Sequence, residues 1–471
     1  MIKIFLIVIG FSVVTISYTQ QELTLQLQRN LMQSNLVNPA NQIQDSGLVI
    51  ALPSVYFNYS NSSFAYNDII RSSEDGESAI VDADGAIRQL NDNNHLFLDF
   101  NLNYITAAYK RKNIQYGFYL SERLSASLHY PKQLLELLWY GNEPYIGDTM
   151  NVGPALNAQK YREWGLTFSI EKERWTYGGR LKLLKGLANI TSVRNDFKIH
   201  TDEEDYAINI KSNYLLRTSR AKGFQEVIFP FRGVNNWGGG IDLGAVFDYN
   251  DRWSFSGSVI DLGFINWNDS PMNYKTNGSF FFDGIDAFSF VNGDSLGVSD
   301  HMDSLSSLLD VKSFKESYRS RLATSFYLST RYKLTKKQNL NFQTFGEITN
   351  GGLIPAFTLG YDTELAFFSN TLKLNLGGYW SYRNNSFYNL GFGIHVKYKF
   401  LELFLIGDNV LSFLFPQKVI PFNRLTPVFD AESTRSMNIP GNLRNYNFRA
   451  GINILLNPKN TKSKKDVSVL K

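Results

Sequence analysis

Tyr446-Asn447-Phe448-Arg449-Ala450-Gly451-Ile452-Asn453-Ile454 is apolar at every even position and polar or glycine at every odd one. On an extended strand successive side chains point to opposite faces. Tyr446, Phe448, Ala450, Ile452 and Ile454 therefore share one face, while Asn447, Arg449 and Asn453 share the other. The period recurs along the chain. Leu390, Phe392, Ile394, Val396 and Tyr398 alternate with Asn389, His395 and Lys397, and Phe326, Leu328 and Tyr332 with Ser325, Ser329, Arg331 and Lys333. Trp164, Leu166, Phe168 and Ile170 face away from Glu163, Thr167 and Ser169, and Leu98, Phe100 and Leu102 away from Asp99, Asn101 and Asn103.

Soluble sandwiches alternate too. Two details favour a barrel in lipid. Many runs reach roughly 9 to 13 residues, the length of a tilted membrane strand, where soluble strands average about five or six. Aromatic residues recur near run ends, at Trp175-Thr176-Tyr177, Trp253, Tyr379-Trp380 and Tyr398, as an interfacial girdle requires. Composition agrees: of 471 residues 15% are aromatic, with 35 Gly and only 13 Pro. After residue 20 no stretch reads as a membrane-spanning helix. In lipid the backbone has no water to bond, so such a sheet must close on itself.

The start of the chain sets the compartment. Lys3 precedes an almost wholly apolar run from Ile4 to Val14, and Ser17-Tyr18-Thr19-Gln20 ends in small or polar residues. This predicts a signal peptide over 1–20, cleaved before Gln21, and hence export. The apolar run is too short to span a bilayer. With 0 Cys, neither disulfides nor a lipidated cysteine is available. The net charge of +4, from 47 basic and 43 acidic residues, gives no case for nucleic acid.

The expected fold is all-β: a transmembrane antiparallel β-barrel over 48–456 in the cell outer membrane. About seventeen candidate segments are read, among them 174–186, 188–200, 205–215 and 274–288, and single-chain bacterial barrels are even-numbered. Fourteen strands are expected, or sixteen, with short segments packing inside or pairing in a loop. Residues 21–47, with Leu23, Leu25, Leu27 and Leu31 ahead of Asn38-Pro39-Ala40, form an arm that plugs the lumen or trails as a periplasmic leader. Residues 457–471 form a basic periplasmic tail. Two short helices interrupt the strands, at 131–141 and 302–309. The apolar face carrying Leu134 and Leu138 lines a lumen for a hydrophobic ligand, or caps a loop.

Polar positions on the inward face are the candidate luminal residues: Asp242, Asp248, Arg331, Lys333, His395, Lys397 and Arg449. They form structural ion pairs or a selectivity ring. Asn38, Pro39, Leu134 and Leu138 are the candidate plug or ligand-lining residues. Asp261 breaks the phase of Trp253, Phe255 and Val259, and a bulge near Gly257 or Ile260 restores it. Asp82-Ala83-Asp84-Gly85 mimics the opening of a calcium loop, but the twelfth position is Asn93 rather than a bidentate Glu. The five histidines have no metal spacing, and no nucleophile motif is present, so neither cofactor, metal nor catalysis is expected.

Trp237-Gly238-Gly239-Gly240-Ile241-Asp242-Leu243-Gly244-Ala245, followed by Asp251 to Trp267, resembles a hairpin of Bacteroidota outer-membrane barrels in a domain family without assigned function. That family is similar in layout to fatty-acid-transporter-type (FadL-like) porins and to the PorV- and PorP-type barrels of the type IX secretion system. Asn38-Pro39-Ala40 resembles an Asn-Pro-Ala element near their mature N-terminus. The resemblance implies about fourteen strands and a luminal plug, and it transfers no binding residue. The expected function is binding or passing a small or hydrophobic solute through a plugged lumen. The alternative is a non-enzymatic structural or secretion-accessory barrel. Expected partners are outer-membrane lipid and a periplasmic or outer-membrane protein.

Overall fold

The computed structural model describes residues 23–63, 70–72, 79–224, 235–282, 309–349, 352–368, 371–383, 386–408 and 445–459. The expected signal peptide, residues 302–308 of the second expected helix and the tail beyond 459 lie outside these residues.

The period of two builds a closed antiparallel β-barrel of 14 strands. In chain order these are β1 (Ser46–Ala51 and Ser54–Asn61, interrupted at Leu52-Pro53), β2 (Asn93–Arg111), β3 (Ile114–Pro131), β4 (Ala155–Lys172) and β5 (Trp175–Thr201). There follow β6 (Trp237–Asp248), β7 (Trp253–Trp267), β8 (Tyr318–Arg321 and Thr324–Lys333), β9 (Gln338–Thr349) and β10 (Gly352–Phe367). The ring ends with β11 (Leu372–Arg383), β12 (Ser386–Tyr398), β13 (Leu401–Asp408) and β14 (Asn445–Lys459). β14 closes on β1, pairing Ile454 with Ile50 and Phe448 with Phe57.

Tight turns gather at one end, where Lys112, Glu173 and Lys399 take φ of 56°, 56° and 53°. Long connections gather at the other. β5 overshoots the ring: its first part pairs with β6, and its last part with a strand at Ile208–Ser219, which pairs in turn with Pro271–Phe282. Segments 174–186 and 188–200 are thus one strand, while 205–215 and the described part of 274–288 fall on Ile208–Ser219 and Pro271–Phe282 of this sheet at the loop end. The seventeen segments reduce to the fourteen of the ring.

The outside is apolar. Leu166 and Leu181, opposite each other on β4 and β5, are 63% and 64% exposed, while Thr167 and Arg180 beside them are buried. At the turn end Trp175 stacks on Phe247 at 4.4 Å and Trp253 packs on Tyr332 at 4.7 Å. Toward the loop end Trp164 approaches Trp237 at 6.4 Å. Trp237 and Phe247 bracket β6; ten residues make roughly 33 Å of strand, which at a tilt of about 40° spans roughly 25 Å, the height of a lipid-facing band. Tyr379 corrects the girdle reading: it is buried in the lumen, and only Trp380 faces outward. Neighbours in a strand take opposite faces.

Leu181 lies midway between the aromatic bands. Leu181→Arg should cost about 2–4 kcal/mol, whereas Leu181→Phe should be nearly silent. Heat-modifiable gel migration reads the folded fraction; equal fractions for both variants would contradict a lipid-facing Leu181.

Candidate functional site

The arm is inside the barrel. Leu23, Leu25, Leu27 and Leu31 are fully buried, the first three on a one-turn helix, α1 (Leu23–Leu27). Leu23, Leu25, Leu31 and Val37 pack on Ile260, Tyr327, Phe345, Ala356, Phe404 and Ile406, an apolar sector of the inner wall. Burying each leucine contributes about 1.5–3 kcal/mol.

Polar contacts set the register of the arm. Gln33 and Asn453 exchange amide hydrogen bonds at 2.6 and 3.0 Å. Gln28 donates to the Tyr379 hydroxyl at 2.7 Å. Arg29 donates to Ser254 at 2.7 Å and Ser256 at 3.0 Å. Carbonyls that the short arm cannot pair internally are met by wall cations. Arg331 donates to the Leu27 carbonyl, Lys110 to that of Ile43 at 3.0 Å, and Arg180 to that of Leu36 at 3.1 Å. Asn38-Pro39-Ala40 lies on glycine. A Cβ at Gly178 would stand 2.2 Å from the Pro39 carbonyl carbon, and one at Gly244 would stand 2.1 Å from Asn38 Oδ1. Only wall positions without side chains admit the arm here.

Above the arm the lumen is ionic. Asp242, fully buried, accepts from Arg180 and Lys182, each at 2.8 Å. Its other oxygen accepts the Asp261 N–H at 2.8 Å. The expected bulge falls at Ile260-Asp261: β6 and β7 slip register between Ile241 and Leu243, and Asp261 has φ 65°. The extra residue turns the Asp261 carboxylate inward, onto Lys182 at 2.6 Å and Arg123 at 2.9 Å. Glu163 follows, 3.9 Å from Arg123. Three cations and three carboxylates balance, the arrangement of a structural network.

At the turn end His395 Nε2 lies 2.5 Å from Glu402, whose other oxygen accepts from Asn453 at 2.5 Å. Through Asn453 this group reaches Gln33 of the arm. Lys397 pairs with Asp45 at 2.6 Å, and the Arg449 guanidinium lies 5.1 Å over the Tyr56 ring. Arg331, in addition to Leu27, bonds Asn341 at 3.0 Å.

Four residues need correction. Asp248 and Lys333 are exposed at the turn end of β6 and β8, outside the buried network. Leu134 and Leu138 are not in the lumen. Their helix, α3 (Lys132–Tyr140), packs Leu134 and Leu135 toward Ile87, Leu90 and Tyr130, while Leu138 is 40% exposed. Its neighbour is a second loop helix, α2 (Ala83–Arg88), capped by Asp82, which accepts the Gly85 N–H at 2.7 Å. The Asp-rich stretch is therefore helix-cap chemistry. Among the described residues no group of three His, Asp or Glu is placed to hold a metal.

Reading the sequence passed over Arg180, Lys182, Arg123, Glu163 and Glu402 as site residues. The signal was present: Arg180 and Lys182 alternate with outward Leu181 and Leu183.

Residues 39–408 match a family of unknown function, DUF5723, over well more than half the chain. The chain belongs to that family. No curated protein matches. Among solved structures, a Pseudomonas aeruginosa FadL homologue is similar at 10% identity and TM-score 0.39, over 90% of this chain and 94% of that one. The Pseudomonas putida toluene transporter TodX gives 9% identity and TM-score 0.34, over 90% and 92%. The translocator domain of the Neisseria meningitidis autotransporter NalP gives 7% and 0.30, over 87% and 89%. None of these likenesses transfers a residue or a solute to this member of the family.

Proposed function

We propose that this DUF5723 protein is an outer-membrane barrel that binds or passes a small or hydrophobic solute when its N-terminal arm moves. Residues 1–20 direct export, the turn end faces the periplasm, and lipid surrounds the apolar belt. The reading assigns no catalysis. The observation that carries it is the occupied inner wall. An apolar sector, Ile260, Tyr327, Phe345, Phe404 and Ile406, is covered by leucines of the arm. A solute that reproduces the leucines' apolar contacts with this sector can compete for it, the arm giving up its bonds to Tyr379, Ser254, Ser256 and Arg331 in the exchange.

The chain has 0 Cys, which makes a bridging test clean. Gln33→Cys with Asn453→Cys, joined by a short bis-methanethiosulfonate linker from which each thiol displaces a sulfinate to form a disulfide, should abolish solute flux into proteoliposomes, and reductive cleavage of the linker should restore it. Equal flux with the linker intact would remove the gating reading.

A second reading has its own observation. Leu138, Trp139 and Tyr140 are 40%, 47% and 41% exposed at the loop end, where a protein partner can dock. In that case the barrel is an accessory, closed in every state. No flux from any form, together with a stoichiometric partner in pull-downs from solubilised membranes, would select it.

A further inference from the structure

Directly above the arm, with Leu36 and Val37 as its floor, the lumen holds a cavity of about 80 Å³. Its wall is polar. Four cations and four carboxylates line it, with four tyrosines, among them Tyr56 and Tyr161. Two buried acceptors of lining residues, Asn101 Oδ1 and Glu163 Oε2, have no hydrogen-bond partner among the described residues. Asn101 is 9% exposed and Glu163 2%. Glu163 accepts from Ser121 at 2.9 Å through its other oxygen, and Oε2 lies 3.9 Å from Arg123 Nη1, beyond hydrogen-bond reach. Buried polar atoms are nearly always satisfied, so two orphans on one cavity mark a place where something else supplies the hydrogens.

Both orphans accept, so the occupant must donate. Arg123 and Lys182 stand beside them, so it must also accept. A lining with equal numbers of cations and carboxylates carries no net charge to favour an ion of either sign. A hydroxyl donates and accepts at one atom, and the carbon face of a polyol packs well on tyrosine rings. An apolar solute would leave both acceptors unmet.

We propose that this cavity is a binding site for a small uncharged polyhydroxyl solute, with Asn101 and Glu163 as the acceptors and Arg123 as a donor. The proposal takes up the small-solute side of the preceding section, at a polar site beside the apolar sector, and rests on that reading for its role in passage, though not for binding itself.

Glycerol is the probe, with glycine and hexanol as comparisons, and saturation-transfer NMR on the full detergent-solubilised chain is the measurement. Transfer to the glycerol CH protons is expected and should exceed that to hexanol or glycine. Asn101→Leu should lower it roughly fivefold or more, about the worth of one lost hydrogen bond. Glu163→Leu should act the same way; Asn101→Leu removes no charge and stands alone if the first fails to fold. Absent transfer to glycerol, which would mean that water alone fills the cavity, overturns the proposal. So does transfer unchanged in Asn101→Leu, or stronger transfer to hexanol or glycine. Flux plays no part in this measurement, so an impermeable barrel that still binds glycerol would sink the transport reading and leave the site standing.

Discussion

Replacing Gly178 with valine is expected to lift the N-terminal arm off the barrel wall. The new Cβ would fall 2.2 Å from the carbonyl carbon of Pro39 and 2.3 Å from the Ala40 nitrogen. Both are backbone atoms, so no rotamer change relieves the clash and the arm itself must move. Overpacking costs typically about 1–3 kcal/mol, which converts to roughly a 5- to 150-fold rise in the displaced population. The barrel strands are untouched, because valine suits an extended backbone. A reporter is available at Gln33, which is buried against Asn453. In a Gln33→Cys background, a charged thiol reagent should label the Gly178→Val chain faster than its parent by that factor. Heat-modifiable migration should stay the same. Unchanged labelling would mean that the arm is not seated on Gly178.

Asp242 carries the second large effect. Its carboxylate faces Arg180 and Lys182 at 2.8 Å each in a site closed to solvent. Asp242→Leu leaves three cations against two carboxylates, and breaking a buried pair by removing one partner costs about 3–5 kcal/mol. The damage should spread to the arm, since Arg180 also holds the Leu36 carbonyl and Asn35 Oδ1. Lys182→Met on the same chain restores two charges of each sign and should recover a large part of the loss. A double-mutant cycle read by thermal unfolding in detergent checks this. Additive losses in the double variant would show that charge balance does not hold the network.

The barrel was legible because its period is local. Trp164 to Ile170 and Tyr446 to Ile454 each announce a two-faced strand without reference to any other part of the chain. The bulge at Ile260-Asp261 was legible for the same reason, as a break in phase. What period does not carry is height along the strand. Asp248 and Lys333 have the inward phase of Asp242 and Arg331, yet stand at exposed strand ends. Strand partners were hidden as well. Segments 174–186 and 188–200 read as two because β5 changes neighbour between them, from β6 to Ile208–Ser219.

The site was half legible. The leucines at 23, 25, 27 and 31 and the Asn-Pro-Ala element pointed to a plug, and their burial follows from it. The wall that receives them was not legible, because Gly178 and Gly244 are far from Pro39 in sequence and look like ordinary strand glycines. The helix at 132–140 showed its apolar face plainly. Its target did not show: Ile87, Leu90 and Tyr130 lie in and beside a neighbouring loop, and nothing in the spacing of Leu134 and Leu138 distinguishes a loop cap from a luminal wall.

Leu166, Thr167, Phe168 and Ser169 offer the most direct check on the whole account. Spin labels attached at cysteines placed singly at these positions, in reconstituted bilayers, report contact with apolar oxygen or with an aqueous nickel complex. Lipid outside the wall predicts strong oxygen contact at 166 and 168 and little at 167 and 169, with the nickel complex excluded from the first pair. Four labels equally open to the aqueous reagent, or four alike in oxygen contact, would contradict a barrel with lipid outside and its own arm within.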